Sequence, residues 1–490
     1  MRNDRKGVGD RMTWLNFFTT IYSLTIFILS VVIILDNRNP SRTLAWILVL
    51  IFLPGAGVFL YLYIGQNHRK KNTFIKKRKE NYRILNHLLE EQVPITQYSG
   101  LFHQFFDDIR GKIIPLLLNN TYSPLTVNNE VKVLHNGEET FREMLQEIEG
   151  ATHHIHMEYF IIKDSDIGRI FQKALIKKAE EGIEVRLIYD AVGSWKLKKD
   201  FLQPLKDAGV EAVAFLPVTI PFFGSRLNYR NHRKILIVDG QVGFVGGLNI
   251  GDEYLGKSEK MGFWRDVHLK IMGESVYVLQ AIFLMDWYFV KKEEIDSLAY
   301  FPKQKDCGQR LIQVASSGPD SYWAAIQQTY FTALTGATKR AYIMSPYLIP
   351  DDSMLMALKT AALGGVDVRI LLPGRPDHRT VFWASKSHFE ELLEAGVQIY
   401  QYQKGFVHGK MILVDSVFTS IGTANIDIRS FQLNFEVNAF IYDEEVTDQL
   451  VEVFLEDLKD SKEVTLEEYH KRPLSHKAME SVTRLLSPIL

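Results

Sequence analysis

Two long apolar runs open the chain, and beyond them apolar and polar positions alternate in repeating blocks. From Trp14 to Leu35 the residues are apolar with scattered Ser and Thr and no charge, enough to cross ~30 Å of hydrocarbon as a helix. A second uncharged run, Leu44 to Ile64, follows a short polar link. Its Pro54-Gly55 step predicts a kink of the kind membrane helices tolerate. A cleavable signal peptide would have a shorter apolar stretch, a small-residue cleavage site and no second span behind it. The pattern therefore predicts residues 1–66 as a membrane anchor of two transmembrane helices, about 14–35 and 44–64.

Charge orients this hairpin. Arg2, Arg5, Lys6 and Arg11 precede the first run and Arg69, Lys70, Lys71, Lys76, Lys77, Arg78 and Lys79 follow the second, whereas the link has only Arg38 and Arg42. The positive-inside bias places both termini, and the chain beyond the anchor, on the cytoplasmic side. The basic run also suits attraction to anionic membrane lipids, at about 1 kcal/mol per charge near the surface.

Residues 67–125 read as a basic and amphipathic helical linker. Leu101, Phe102, Phe105, Phe106, Ile109, Ile113, Ile114 and Leu117 fall on one face, which serves a lipid interface or a protein partner equally. After residue 125 strands and helices alternate, and the order repeats. The strand His154 to Ile162 has a counterpart at Ala341 to Ile349. Gly182-Ile-Glu-Val-Arg-Leu-Ile matches Gly365-Val-Asp-Val-Arg-Ile-Leu, and helices end at Ala208-Gly-Val and Ala395-Gly-Val. This predicts an α/β fold of two duplicated lobes, 126–305 and 306–490, facing each other about a pseudo-twofold axis. A ligand site between them would draw half its groups from each.

Bulk composition narrows the function. A net charge of −1 and a pI near 6.9 argue against a nucleic-acid coat, which needs a strongly basic face. The single cysteine, Cys307, forms no intramolecular disulfide and no metal cluster.

The chemistry resides in a motif present twice. Asn231-His232-Arg233-Lys234 leads to Asp239-Gly240 and on to Gly246-Gly247-Leu-Asn249; Val407-His408-Gly409-Lys410 leads to Asp415-Ser416 and on to Gly422-Thr423-Ala-Asn425. One H-x-K-x4-D is a modest signal, but two at matching places of a duplicated unit are not strand residues by accident. Strand periodicity projects His232 with Lys234, and His408 with Lys410, from one face. Asp239-Gly240 and Asp415-Ser416 read as hairpin turns that return Asn249 and Asn425 beside the histidines. The two aspartates then lie far along the hairpins, where they fix packing and do not touch substrate. A working histidine needs a partner on its other ring nitrogen. Asp266 in Trp264-Arg-Asp266 and Glu436 in Asn434-Phe-Glu436 are the carboxylates at comparable strand positions.

The paired motifs, the G-x-x-N turns and the Asn-x-Glu stretch resemble the phospholipase D superfamily. Asn39-Pro-Ser-Arg-Thr-Leu-Ala-Trp46, Gln313-Val-Ala-Ser-Ser-Gly-Pro-Asp320, Trp383-Ala-Ser-Lys-Ser-His-Phe389 and Arg484-Leu-Leu-Ser-Pro488 narrow this to the bacterial cardiolipin synthases. The resemblance implies two phospholipase D-type lobes of mixed sheet flanked by helices, attached to a bacterial cell membrane. It also implies phosphatidyl transfer between two phosphatidylglycerol molecules through a phosphohistidine, without metal or cofactor. The catalytic motif residues would be His232, Lys234, Asp239, His408, Lys410 and Asp415, with His232 as nucleophile, His408 as acid/base, and Asn249, Asn425, Asp266 and Glu436 in support. A hydrolytic phospholipase D would use the same residues with water as acceptor, and the apolar segment Val218 to Gly224 is a candidate lipid-facing lip favouring transfer. An endonuclease suits neither the charge nor the anchor, and an inactive scaffold would not need both motifs.

Overall fold

A computed structural model describes residues 4–36, 40–53, 55–61, 105, 107–217, 228–295 and 297–487. The chain divides into two compact units: residues 1–76 with 219–225, and 77–218 with 226–490.

In the first unit, a helix spans Asp4–Asp36 and a second runs Pro40–Phe52 before the chain breaks. It resumes as a short helix at Ala56–Leu60, and Gly55 between them has φ +76°, a value that suits only glycine comfortably. Gly55 belongs to the step where a kink is expected; Pro54 lies outside the described residues. Ile33, Leu50 and Tyr61 form a small buried cluster, Trp46 packs edge-on to Tyr61 at 5.5 Å, and the Tyr22 hydroxyl donates to the Leu50 carbonyl at 2.7 Å. The outer face stays apolar: Phe27, Leu35, Phe52 and Phe59 are all exposed. Among the described residues no helix is long and apolar enough to cross a membrane. The run expected from Trp14 includes the side chains of Leu15 and Phe18, and the second ends at 62–64; these lie outside the described residues.

The second unit holds two sheets of like order. The first lobe supplies β1 (Asn129–His135), β2 (His154–Tyr159), β3 (Glu184–Asp190), β4 (Glu211–Phe215), β5 (Lys234–Val238), β6 (Val242–Gly246), β7 (Phe263–Arg265) and β8 (Val267–Gly273). The second supplies β9 (Ile312–Ser317), β10 (Arg340–Met344), β11 (Leu348–Ile349), β12 (Asp367–Pro373), β13 (Gln398–Tyr402), β14 (Gly405–Val407), β15 (Met411–Val414), β16 (Phe418–Gly422), β17 (Ile426–Asp427), β18 (Glu436–Ile441) and β19 (Ser461–Val464). One sheet runs β1-β8-β6-β5-β2-β3-β4; the other, read from the same end, runs β9-β18-β16-β15-β10-β12-β13-β19. Strand for strand these match, apart from the added edge strand β19. In both, the strands linked through helices pair in parallel and the motif hairpin pairs antiparallel, as crossover and hairpin connections require.

The lobes meet with their hairpin strands facing, β6 and β8 against β16 and β18. Short exchanges sew the seam: β7 of the first lobe pairs in parallel with β14 of the second, Asn231 bridges Phe435, and Thr126 bridges Ile312. The linker's apolar stripe is resolved as a protein contact where it is described. Helix Arg110–Thr121 buries Ile113, Ile114 and Leu117, with Ile109 just before it, in the core of the second lobe. Residues 101–104 and 106 lie outside the described residues, as does the expected lip at 218–224. Cys307 is half-buried and free, and burial raises its thiol pKa.

The motif aspartates close the hairpins from behind. Asp239 (φ +54°) and Asp415 (φ +52°) take the left-handed conformation at the turns. The Asp239 carboxylate accepts from the backbone N–H groups of Thr152, His153 and His154 and from the Thr152 hydroxyl, at 2.8–3.0 Å. Asp415 accepts from the same set one repeat later: Thr338, Lys339 and Arg340 N–H and the Thr338 hydroxyl. Each thus ties the hairpin tip to the strand entering its sheet, away from the histidines. A carboxylate offers more acceptor sites than an amide, and charge-assisted bonds are the stronger kind. Asp239→Asn and Asp415→Asn should each cost about 2 kcal/mol, read as a lower denaturation midpoint. A stability equal to the parent protein's would contradict this role.

Candidate active site

The two histidines sit at the seam, one at the entrance of each hairpin, and each is held by the opposite lobe. His232 donates its backbone N–H to the Phe435 carbonyl at 2.9 Å, and His408 donates to Arg265 at 2.7 Å. Their side chains follow suit. Nδ1 of His232 lies 2.9 Å from Glu436 Oε2, and Nδ1 of His408 lies 2.8 Å from Asp266 Oδ2. The carboxylates expected to orient the histidines thus stand crosswise, each on the ring of the opposite lobe's histidine. Each histidine is about 8 % exposed; with Nδ1 on a carboxylate, Nε2 is the ring nitrogen left for a substrate.

Burial is the largest influence on both rings, lowering each pKa to about 4; the neighbouring carboxylate opposes it and the lysine ammoniums reinforce it. Both are therefore neutral at pH 7, with the proton on Nδ1 and a lone pair on Nε2. Burial pushes the Glu436 and Asp266 carboxyls up, but their histidines and the lysines outweigh it and hold both below the ordinary range. The carboxylate that accepts from Nδ1 sets the tautomer of each ring.

Lys234 and Lys410 project beside their histidines as the strand period predicts. Each ammonium donates to the carbonyl of its own histidine, at 2.6 and 2.5 Å, which leaves N–H bonds for a phosphate. Both are fully buried. Burial lowers the Lys234 pKa well below its usual value and brings Lys410 to about 8, nearby carboxylates resisting. His232 senses Lys410 as well as Lys234, and His408 senses both in turn, so the four groups share one electrostatic site.

Asn249 and Asn425 are buried at the ends of the returning strands. Asn249 accepts from Ile161 N–H at 3.1 Å and donates to the Tyr254 hydroxyl at 3.1 Å; Asn425 donates to Asp427 at 3.1 Å. Each amide nitrogen is thus half committed, with one N–H remaining.

Other site residues carried no motif. Phe160 packs edge-on to His232 at 5.0 Å, and Trp264 lies 5.1 Å from His408. Trp264 Nε1 also donates to Asp266 at 3.3 Å. Thr423 donates its hydroxyl to Glu436 at 2.5 Å; its equivalent, Gly247, has no room for a side chain, because a Cβ there would lie 2.1 Å from Asp266 Oδ1. Gly246 and Gly422 are glycines for a like reason, being covered by His268 and Asn438 on the adjacent strand. The hydroxyl of Thr423 and the W-R-D spacing of Trp264 were visible signals; Phe160 gave none.

Two imidazoles with free Nε2 edges, flanked by two buried ammoniums, are equipped to exchange substituents on a phosphodiester by nucleophilic and acid–base steps. Comparison with known proteins agrees. The family model "Cardiolipin synthase, PLD-like domain" matches residues 144–287 and 330–458, and "Phospholipase_D-nuclease N-terminal" matches 24–66. A cardiolipin synthase of Geobacillus sp. (strain WCH70) is 48% identical over 96% of this chain and 93% of its own. Cardiolipin synthase 2 of Bacillus anthracis is 47% identical over 96% and 91%, and a Staphylococcus aureus cardiolipin synthase is 42% identical over 97% of each. Among solved structures, Haemophilus influenzae phosphatidylserine synthase shares the fold, with a TM-score of 0.60 over 77% of this chain and all of its own, at 14% identity. With these matches, the duplicated lobes and the crossed histidine–carboxylate pairs, the chain belongs to the cardiolipin synthase family of phospholipase D-like enzymes.

Proposed function

We propose that this chain moves a phosphatidyl group from one phosphatidylglycerol to a primary hydroxyl of a second, yielding cardiolipin and glycerol through a phosphohistidine. The observation that carries this reading is the pair of buried imidazoles, each with Nδ1 on the opposite lobe's carboxylate and a buried lysine beside it. Nε2 of His232 attacks phosphorus as the bond to the departing glycerol oxygen breaks. Protonated His408 gives that oxygen its Nε2 proton. The incoming hydroxyl then loses its proton to His408 and attacks phosphorus, breaking the P–N bond and restoring His232. His408 starts neutral, so it must gain its proton as substrate binds; an anionic phosphodiester beside it, with Asp266 behind, favours the imidazolium. Lys234, Lys410, Asn249 and Asn425 hold the non-bridging oxygens as charge shifts.

The test is product balance. Purified protein in phosphatidylglycerol vesicles should release glycerol and cardiolipin in equal amounts, with phosphatidic acid a minor product. Phosphatidic acid as the chief product would replace the synthase with a hydrolase.

The same reading includes attachment to a membrane through the apolar hairpin. Its support is the pair of uncharged runs, the apolar outer face of the described helices and the unequal flanking charge. The duplicated lobes then face the cytoplasm. Protease added to sealed cells should leave them intact and cut them only after permeabilisation; cleavage in sealed cells would reverse the topology.

A further inference from the structure

The two lobes differ beside the site, although their sheets match. In the second lobe a shallow, solvent-open recess lies between the segment after β10 and the segment after β12, lined by Pro346, Tyr347, Arg375, Asp377, Phe382 and Lys386 among others. In the first lobe the corresponding segments are tied differently. Asp190 there accepts from the Val192 and Gly193 N–H groups, and Gly193 packs so tightly on Phe160 that a Cβ would lie 2.8 Å from the ring.

The recess is apolar along Pro346, Leu372, Pro376 and Phe382, yet it holds two cations. Among the described residues neither Arg375 nor Lys386 pairs with a carboxylate. The Lys386 ammonium instead lies over the rings of Phe382 and Trp383, at 5.1 and 5.5 Å. The one carboxylate in the lining, Asp377, accepts from the Tyr347 hydroxyl and from His378 N–H. The segment bearing Pro346 and Tyr347 adjoins the site: Ser345 Oγ accepts from Ile426 N–H at 3.3 Å and Leu348 pairs with Ile426, next to Asn425, and Asp377 acts on Lys410. Unpaired cations in an apolar wall suit an anion that brings apolar substance with it.

We propose that this recess seats the head group of the second, accepting phosphatidylglycerol, its phosphodiester against Arg375 and Lys386 and its glycerol toward Asp377. The inference rests on the synthase reading above and adds where the acceptor binds. The segments that frame the recess differ between the lobes, so donor and acceptor bind differently despite the pseudo-twofold axis.

Competition between acceptors tests this. The full chain, in phosphatidylglycerol vesicles containing ethanol, partitions the phosphatidyl group between cardiolipin and phosphatidylethanol. Both products draw on the same phosphohistidine, so their ratio is independent of how much protein is folded. The ratio should fall at least about tenfold in the double variant Arg375→Gln, Lys386→Met, since two charge-assisted contacts to the lipid acceptor are lost. Lys386→Arg, which keeps the charge, should hold the ratio within about threefold. An unchanged ratio in the double variant, with both products intact or both reduced in parallel, would overturn the assignment. Excess inorganic phosphate should leave the parent protein's ratio unmoved; a fall to the variant's level would give the recess to free phosphate instead. If the parent protein forms phosphatidylethanol but no cardiolipin, it is the synthase reading that fails.

Discussion

His232→Ala should abolish both turnover and covalent capture of the phosphatidyl group, whereas His408→Ala should abolish turnover yet keep capture when the leaving group needs no proton. With phosphatidylglycerol as donor each substitution should cost on the order of 10⁴-fold, because nucleophile and acid act as a unit. A p-nitrophenyl ester of phosphatidic acid separates them. Nitrophenolate leaves without protonation, so His408→Ala should release one equivalent in a burst and stall as the phosphohistidine, for want of a base to activate the next hydroxyl. His232→Ala should show no burst. The geometry alone does not choose between the rings, since each has one carboxylate, one lysine and an open Nε2; the choice of His232 follows the family resemblance. A burst in His232→Ala and none in His408→Ala would exchange their roles, and a burst in both would end the two-histidine mechanism.

How much of this was legible beforehand divides along a physical line. Local periodicity fixes what a strand presents, so the pairing of His232 with Lys234 and of His408 with Lys410, the turns at Asp239 and Asp415 and the order of the repeat could all be read from spacing. The remote position of the two aspartates followed from the same hairpin geometry, and their matched hydrogen bonds to Thr152 and Thr338 bear out a packing role. The partners of the histidines could be named but not assigned. Which carboxylate serves which ring depends on how the lobes dock, and no one-dimensional pattern encodes that. The linker stripe was ambiguous because burial in protein and burial in lipid ask for the same residues; Ile113, Ile114 and Leu117 went to the second lobe's core. The recess beside Tyr347 was hidden in a different way. The repeat sets Phe160 against Tyr347 in sequence, but how the loops after β10 and β12 pack around Tyr347 is a three-dimensional matter that the spacing does not encode.

The crossed pairing yields the sharpest prediction, because it reverses the result expected from position along the chain. Asp266 belongs to the first lobe, and its Oδ1 accepts from Val267 N–H at 2.9 Å while Oδ2 faces His408 Nδ1 and Trp264 Nε1. Asparagine supplies one acceptor oxygen. If Val267 claims it, the amide NH₂ faces His408 and drives the ring proton from Nδ1 to Nε2, the wrong tautomer for accepting a proton there. The lost carboxylate also removes a charge that supports the imidazolium. Asp266→Asn should therefore lose 10²- to 10⁴-fold of turnover, to order of magnitude, and should behave like His408→Ala: a nitrophenolate burst without turnover. Glu436 belongs to the second lobe but holds His232, and Thr423 and His232 both donate to it. In Glu436→Gln an NH₂ replaces one of the two oxygens to which His232, Thr423 and Asn434 donate, so His232 loses its orientation and its Nε2 lone pair. This variant should show no burst. A melting curve separates these effects from a failure to fold, and the burst size per folded molecule is the deciding number. If Glu436→Gln retains the burst and Asp266→Asn loses it, each carboxylate acts on the histidine of its own lobe and the crossed arrangement is wrong.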